Sequence, residues 1–423
     1  MIVACAPACG GRTAGGTDRP SASRSDAVPF AILPYGNKTG HLNMQGNTTS
    51  ENRQFYLDNL RIYLTILVIL HHASIAYGGL GDWPVKDPSI DRLSPLFLTF
   101  FTALNQSYFM SAFFLLAGYF TPAALERKGA GYFVKDRLIR LGIPILVYTT
   151  LILNLNQVLW GVWMRGKPFH WIFAYHPGHL WFLQALLLFA VIYVLYRIGL
   201  RRVTNKQHSQ FYSDRFPPDR MLTLGIVFLT VLTFVVRIWF PVGKWVFPGF
   251  QPAHFVHYTF CFFVGILACR GDWFNRLHRD QARRWGIVVL IMLPLFFVPM
   301  VVSGILERDP SRVISFFTGG LHWQSFTYAA WESTMLIAVL IFLLYLFREC
   351  FNGSGPLLRS MAASVYTVYI IHQTVLTAFN ILFLPVGIPT ILKLLIISLI
   401  VVPLCFGLAV LLRRIPYAKK VLG

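Results

Sequence analysis

Ten long apolar stretches alternate with short polar segments along the chain. They run over about 59–77, 96–119, 142–162, 180–200, 221–240, 254–270, 286–305, 326–347, 362–384 and 391–412. Each is close to the roughly 20 residues that a helix needs to cross a bilayer. The pattern predicts an all-α polytopic membrane helix bundle of about ten transmembrane helices. The first stretch, Tyr56 to Tyr77, stands apart because it carries charge and imidazole. Asp58 and Arg61 sit at its start, and His71 and His72 lie deep inside.

Composition supports the same class. Hydrophobic residues make up 56% of the chain and charged residues 13%, against about 25% charged in soluble domains. The net charge of +20 would suit nucleic acid, but the basic residues lie in short loops between apolar stretches, which is the positive-inside pattern. Alternating the ten stretches puts 28 of the 37 Lys and Arg on one side. That side holds both ends of the chain, so both termini are expected in the cytoplasm. Residues 1–50 are rich in Gly, Ser, Thr, Ala and Pro and read as a disordered tail. A transmembrane domain over 51–415 and a short cytoplasmic tail over 416–423 follow. The six cysteines are scattered and suggest no disulfide framework.

Helix geometry sharpens the first stretch. A helix advances about 100° per residue, so the eleven steps from Arg61 to His72 return to nearly the same face, about 16 Å further along. Adjacent histidines point about 100° apart, so only His72 shares that face. His71 is expected to pack against a neighbouring helix. Ionisable groups inside a membrane are costly and usually face a cavity or a partner.

Five segments in order resemble the acyltransferase-3 family of membrane acyltransferases. They are Leu-Arg, ten residues, then His (Arg61 to His72); AFFLLAGYF (112–120); FVKDRLIRLGIP (133–144); HLWFLQALLLF (179–189); and SVYTVYIIH (364–372). The similarity covers roughly 53–412. The HLWFL variant is closer to the branch that contains glucan biosynthesis protein C, a succinyltransferase for periplasmic glucans. Gln184 stands near where the family often has an acid.

The resemblance implies O-acyl transfer from cytoplasmic acyl-CoA to a hydroxyl of an envelope or exported carbohydrate. It also implies a multi-pass protein of the bacterial inner membrane, with no permanently bound cofactor. His72 is then the candidate general base, since neutral imidazole titrates near pH 6.5 and suits that work. Arg61 would hold the acyl donor or pair with Asp58. His372 could orient the acceptor, stabilise an oxyanion, or join the ninth and first helices. Arg137 and Arg140, placed just before the third stretch, could bind the phosphates of coenzyme A through their planar forks. A basic pair beside a span also serves as a plain topology anchor.

Other polar groups have ordinary readings. Asn105, Gln106, Ser107 and Ser111 fit helix–helix hydrogen bonding. Glu332 is an acid well inside the eighth stretch, a site candidate by location alone. His254 with His257, and His170 with His176 and His179, lack the HExxH or Cys/His spacing of a zinc site, so no metal is expected. The aromatic loops at about 78–95 and 163–179 suit either a sugar or an interface belt. The rival function is a multi-span transporter or exporter without acyl transfer. It would be expected to show inverted repeats and broken helices, and the sequence shows neither.

Overall fold

The computed structural model describes residues 54–422, apart from 89, 92, 159–160, 162–165, 167, 172–174, 176, 204–214, 308 and 417. The proposed N-terminal tail, Trp163 and His176 therefore lie outside the described residues. Ten helices are long and apolar enough to cross a membrane, and no strand occurs among the described residues. We label them α1 (Phe55–Ala76), α2 (Ser94–Lys128), α3 (Ala130–Gln157), α4 (Gly178–Leu200), α5 (Asp219–Trp239), α6 (Pro252–Gly271), α7 (Arg279–Val302), α8 (Trp323–Cys350), α9 (Pro356–Phe383) and α10 (Thr390–Leu412). The bundle is the all-α architecture that the apolar pattern predicts.

α1 is the hub. It packs against α2, α8, α9 and α10, and most of its residues are buried. Its first turn is tied to the loop before α9: Asn352 Oδ1 accepts from the Tyr56 N–H at 3.0 Å, and Asn59 Nδ2 donates to the Phe351 carbonyl at 2.6 Å. α5 and α7 are peripheral and leave most of their surface open. In lipid, helices gain little from hydrophobic association, so close packing of small residues matters more. α2 and α6 show this best. A Cβ on Gly118 would lie 2.0 Å from the Phe262 carbonyl oxygen, and one on Gly265 would lie 2.1 Å from that of Leu115.

Two helices differ from the sequence expectation. α2 is 35 residues long, about 52 Å at 1.5 Å per residue, and continues well past residue 119. Its last residue, Lys128, donates to Asp136 at 2.7 Å. α3 begins at Ala130 rather than near 142, so Arg137 and Arg140 lie within a continuous helix. Two π-helical turns, Leu138–Gly142 and Tyr148–Ile152, interrupt it. The first precedes Pro144, which cannot bond to the carbonyl four residues back. That carbonyl belongs to Arg140, and the Tyr366 hydroxyl of α9 donates to it. The sequence does not show the tertiary partner that lets the helix begin before this proline.

The loop between α1 and α2 is strapped across the end of the bundle. Asp87 accepts from Lys393 of α10 at 2.5 Å, with both side chains buried. The Asp91 N–H donates to Thr390 Oγ1 at 3.3 Å. Asp91 also starts α2: its carboxylate accepts from the Ser94 hydroxyl and from the N–H groups of Leu93 and Ser94. The Ser94 hydroxyl first, and its N–H next, hold this carboxyl down to about 2. It stays a charged cap at any ordinary pH.

Candidate functional site

Four elements converge at the end of the bundle that carries this strap. α1 supplies His72, four residues before its C-terminal end. α9 supplies His372, which is fully buried. His372 Nε2 and His72 Nδ1 are 3.1 Å apart, with ring centroids at 5.1 Å. α4 supplies His179, whose ring meets His372 edge-on at 4.9 Å. The strap supplies Trp83, stacked on His72 at 4.9 Å and 26°.

The hydrogen-bond partners assign the protons. His372 Nδ1 lies 2.6 Å from the Tyr369 carbonyl, which can only accept, so Nδ1 carries the hydrogen. In a neutral ring Nε2 is then a bare acceptor, and His72 Nδ1–H donates to it. That leaves His72 Nε2 with a free lone pair. The relay runs from the Tyr369 carbonyl through His372 to His72 and ends in a base. His72 is only half-buried, whereas its partner His372 is fully buried.

His179 braces α9 rather than joining that relay. Its Nδ1 bonds to Gln373 Oε1, and its Nε2 lies 3.1 Å from the Ile370 carbonyl and 3.2 Å from that of Tyr369. In return the Tyr369 hydroxyl donates to the His179 carbonyl. Tyr148, from the second π turn of α3, donates to the same Gln373 oxygen at 2.7 Å. Gly178 makes room for it. At φ +52 it adopts a left-handed backbone, and a Cβ there would lie 2.5 Å from the Tyr148 hydroxyl. The rest of the HLWFL segment reaches elsewhere: Trp181 stacks on Tyr258 of α6 at 5.4 Å, and Phe182 meets Phe114 of α2 at 4.9 Å.

The structure thus brings His72 and His372 together. Arg61 lies about 16 Å from His72 along α1 by helix rise. It sits 3.5 Å from Asp58 and 4.5 Å over the Phe120 ring. Arg140 pairs with Asp136 at 3.4 Å, and Arg137 lies over the Phe133 ring at 5.1 Å. The Tyr366 bond fixes the level of this basic pair on α9: Tyr366 is six residues, or about 9 Å, from His372. His71 packs on Phe109 of α2 at 4.7 Å, as its position on the helix suggested.

Sequence reading missed two members of the cluster. In the sequence His179 falls among the histidines of the 163–179 loop, although it opens the HLWFL segment. Trp83 reads as an aromatic of the 78–95 loop, suited to a belt or a sugar surface, and its ring is stacked on the candidate base.

Glu332 belongs to a separate buried network. Arg237 Nη2 donates to it at 2.5 Å, with both side chains fully buried. His254 Nδ1 lies 3.5 Å from its other oxygen, and His257 bonds to Ser333 at 3.0 Å. Gln106 donates to Tyr258 at 2.9 Å nearby, a helix-joining bond of the kind expected for it. Among the described residues no group of three His, Cys, Asp or Glu is placed to hold a metal ion.

Comparison with known proteins adds a family. A family model described as an acyltransferase domain, of the acyltransferase-3 type, matches residues 54–410. Glucans biosynthesis protein C of Escherichia coli strain K12 is 29% identical over 199 residues, which are 43% of this chain and 48% of that protein. The protein of the same name from Escherichia coli O1:K1 / APEC is 29% identical over 201 residues, with the same coverage of 43% and 48%. The chain spans about half the length of the curated relatives it matches. No solved structure matches it.

Proposed function

Because the chain belongs to the acyltransferase-3 family of membrane acyltransferases, we propose that it moves an acyl group of the acetyl or succinyl class from cytoplasmic acyl-CoA to a hydroxyl of an envelope or exported carbohydrate. The observation that carries this reading is the 3.1 Å contact between His372 and His72. It leaves one imidazole nitrogen free to act as a base.

The reaction follows from that nitrogen. An acceptor hydroxyl bonds to His72 Nε2. Its oxygen attacks the thioester carbonyl carbon while its proton passes to Nε2. The positive charge on His72 is shared through Nδ1–H with His372 Nε2 and backed by the Tyr369 carbonyl. When the tetrahedral adduct collapses, the C–S bond breaks and His72 returns the proton to the departing sulfur. Positioned proton transfer of this kind contributes about 10²–10⁴-fold.

Arg137 and Arg140 are proposed to hold the coenzyme A phosphates, with Arg61 guiding the donor inward. Both are set toward the basic loops that the positive-inside pattern assigns to the cytoplasm. The protein then lies in the cell membrane with both termini inside. The name shared by the relatives, glucans biosynthesis protein C, supports a glucan-type acceptor.

The test is direct. Purified protein in lipid nanodiscs is incubated with radiolabelled acyl-CoA and a carbohydrate acceptor. Label appearing on the carbohydrate is the expected result. Carbohydrate crossing proteoliposomes without acquiring label would instead make the protein a transporter.

A further inference from the structure

Trp83 is unusual for a loop residue. It is 6% exposed, and its indole Nε1–H has no hydrogen-bond partner among the described residues. Buried donors are costly to leave unpaired, and most native ones have a partner. The ring that bears this donor lies flat on His72. The strap also holds it in place: Asp87, four residues on, is locked to Lys393, and the Asp87 N–H donates to the Ala76 carbonyl at 2.9 Å. An unpaired donor is thus held rigidly beside the candidate base.

We propose that Trp83 is a catalytic residue of the acyl transfer, donating its indole N–H to the thioester oxygen as that oxygen becomes an oxyanion. This rests on the acyltransferase reading given above. The geometry limits the place of the reacting carbonyl. The attacking hydroxyl must bond to His72 Nε2, and the carbonyl carbon must lie about 3–3.5 Å from that hydroxyl. The carbonyl therefore lies within a few ångströms of His72, the residue on which the Trp83 ring is stacked. As the new C–O bond forms, the carbonyl π pair moves onto its oxygen, and the N–H bond to that oxygen strengthens. When the C–S bond breaks, the C=O is restored and the bond weakens. A donor that tightens only in the transition state raises kcat rather than affinity. No reorganisation is needed at that moment because the strap has already fixed the indole.

The N–H can be removed while the ring is kept. Trp83→Phe retains an aromatic face for His72. Replacing Trp83 with 3-benzothienylalanine by amber suppression retains the whole bicycle, with sulfur in place of N–H. Both variants are expected to lose about 10²–10³-fold in kcat, the usual loss for one oxyanion donor. KM for acyl-CoA and for the acceptor should stay within about twofold, since ground-state binding is untouched. If Trp83→Phe fails to fold, the benzothienyl protein decides. A benzothienyl variant with wild-type kcat would overturn the assignment while leaving the acyltransferase reading intact. Wild-type protein that moves no label from any acyl-CoA would overturn both.

Discussion

His372 and His72 are separated by 300 positions in the chain, yet their rings share a hydrogen bond of 3.1 Å. The bond has a direction. His372 gives its Nδ1 hydrogen to the Tyr369 carbonyl, so its other nitrogen must accept from His72. The proton-accepting end of the pair is therefore on α1, beside the strap.

His72→Gln should abolish acyl transfer with expression and acyl-CoA binding near normal. The amide can hydrogen-bond to His372 but cannot serve as a base near neutral pH. His71→Ala should keep substantial activity, because His71 faces Phe109 and not the relay. Single-turnover assays on both proteins check this. An active His72→Gln protein would reject the base assignment.

His372→Phe keeps a ring of similar size but offers His72 no acceptor. The His72 tautomer is then no longer fixed, and a triad with the wrong tautomer loses up to about 10⁴ in rate. A fall of about 10²–10⁴-fold in kcat is expected, with little change in KM. Unchanged kcat would reduce His372 to a joint between α1 and α9.

Arg137→Ala and Arg140→Ala should each weaken acyl-CoA binding, since a hydrogen bond to a charged group is worth about 1.5–3 kcal/mol. That corresponds to about 10–150-fold in Kd. Arg→Lys should restore only part, because Lys lacks the planar fork. Titration of the donor onto the double Ala variant is the check, and normal binding there would leave the pair as a topology signal.

Glu332→Gln should destabilise the fold by about 3–5 kcal/mol, because it strands the buried Arg237 charge. Removing both partners, as Arg237→Met with Glu332→Leu, should recover much of that loss. Thermal midpoints in detergent measure both. If the double variant is as unstable as the single one, the pair is not the cause.

The helix count was legible in the sequence because lipid imposes a length and a polarity on every span. Arg61, His71 and His72 were legible as faces of a helix for the same geometric reason. Partners were not. Nothing in the spacing around His372 tells which ring it meets, and His179 reads as a loop residue until the first turn of α4 is seen against Tyr369. Arg237 and Lys393 counted as charges on the less basic side, yet each is buried against a carboxylate. Charge counting treats every basic residue as solvated, and a tertiary ion pair breaks that assumption. π turns are equally invisible, since they depend on what takes up the carbonyl before Pro144.

The glycine contact between α2 and α6 also decides which parts of the molecule can yield. With the Gly118 and Gly265 backbones meeting carbonyls of the facing helix, neither helix can slide or roll without a clash between main chains. That seam is a fixed wall. The strap is held differently, by Lys393 donating to Asp87, the Asp87 N–H to the Ala76 carbonyl and the Asp91 N–H to Thr390. Movement about the active centre therefore has to come from elements other than the α2–α6 pair.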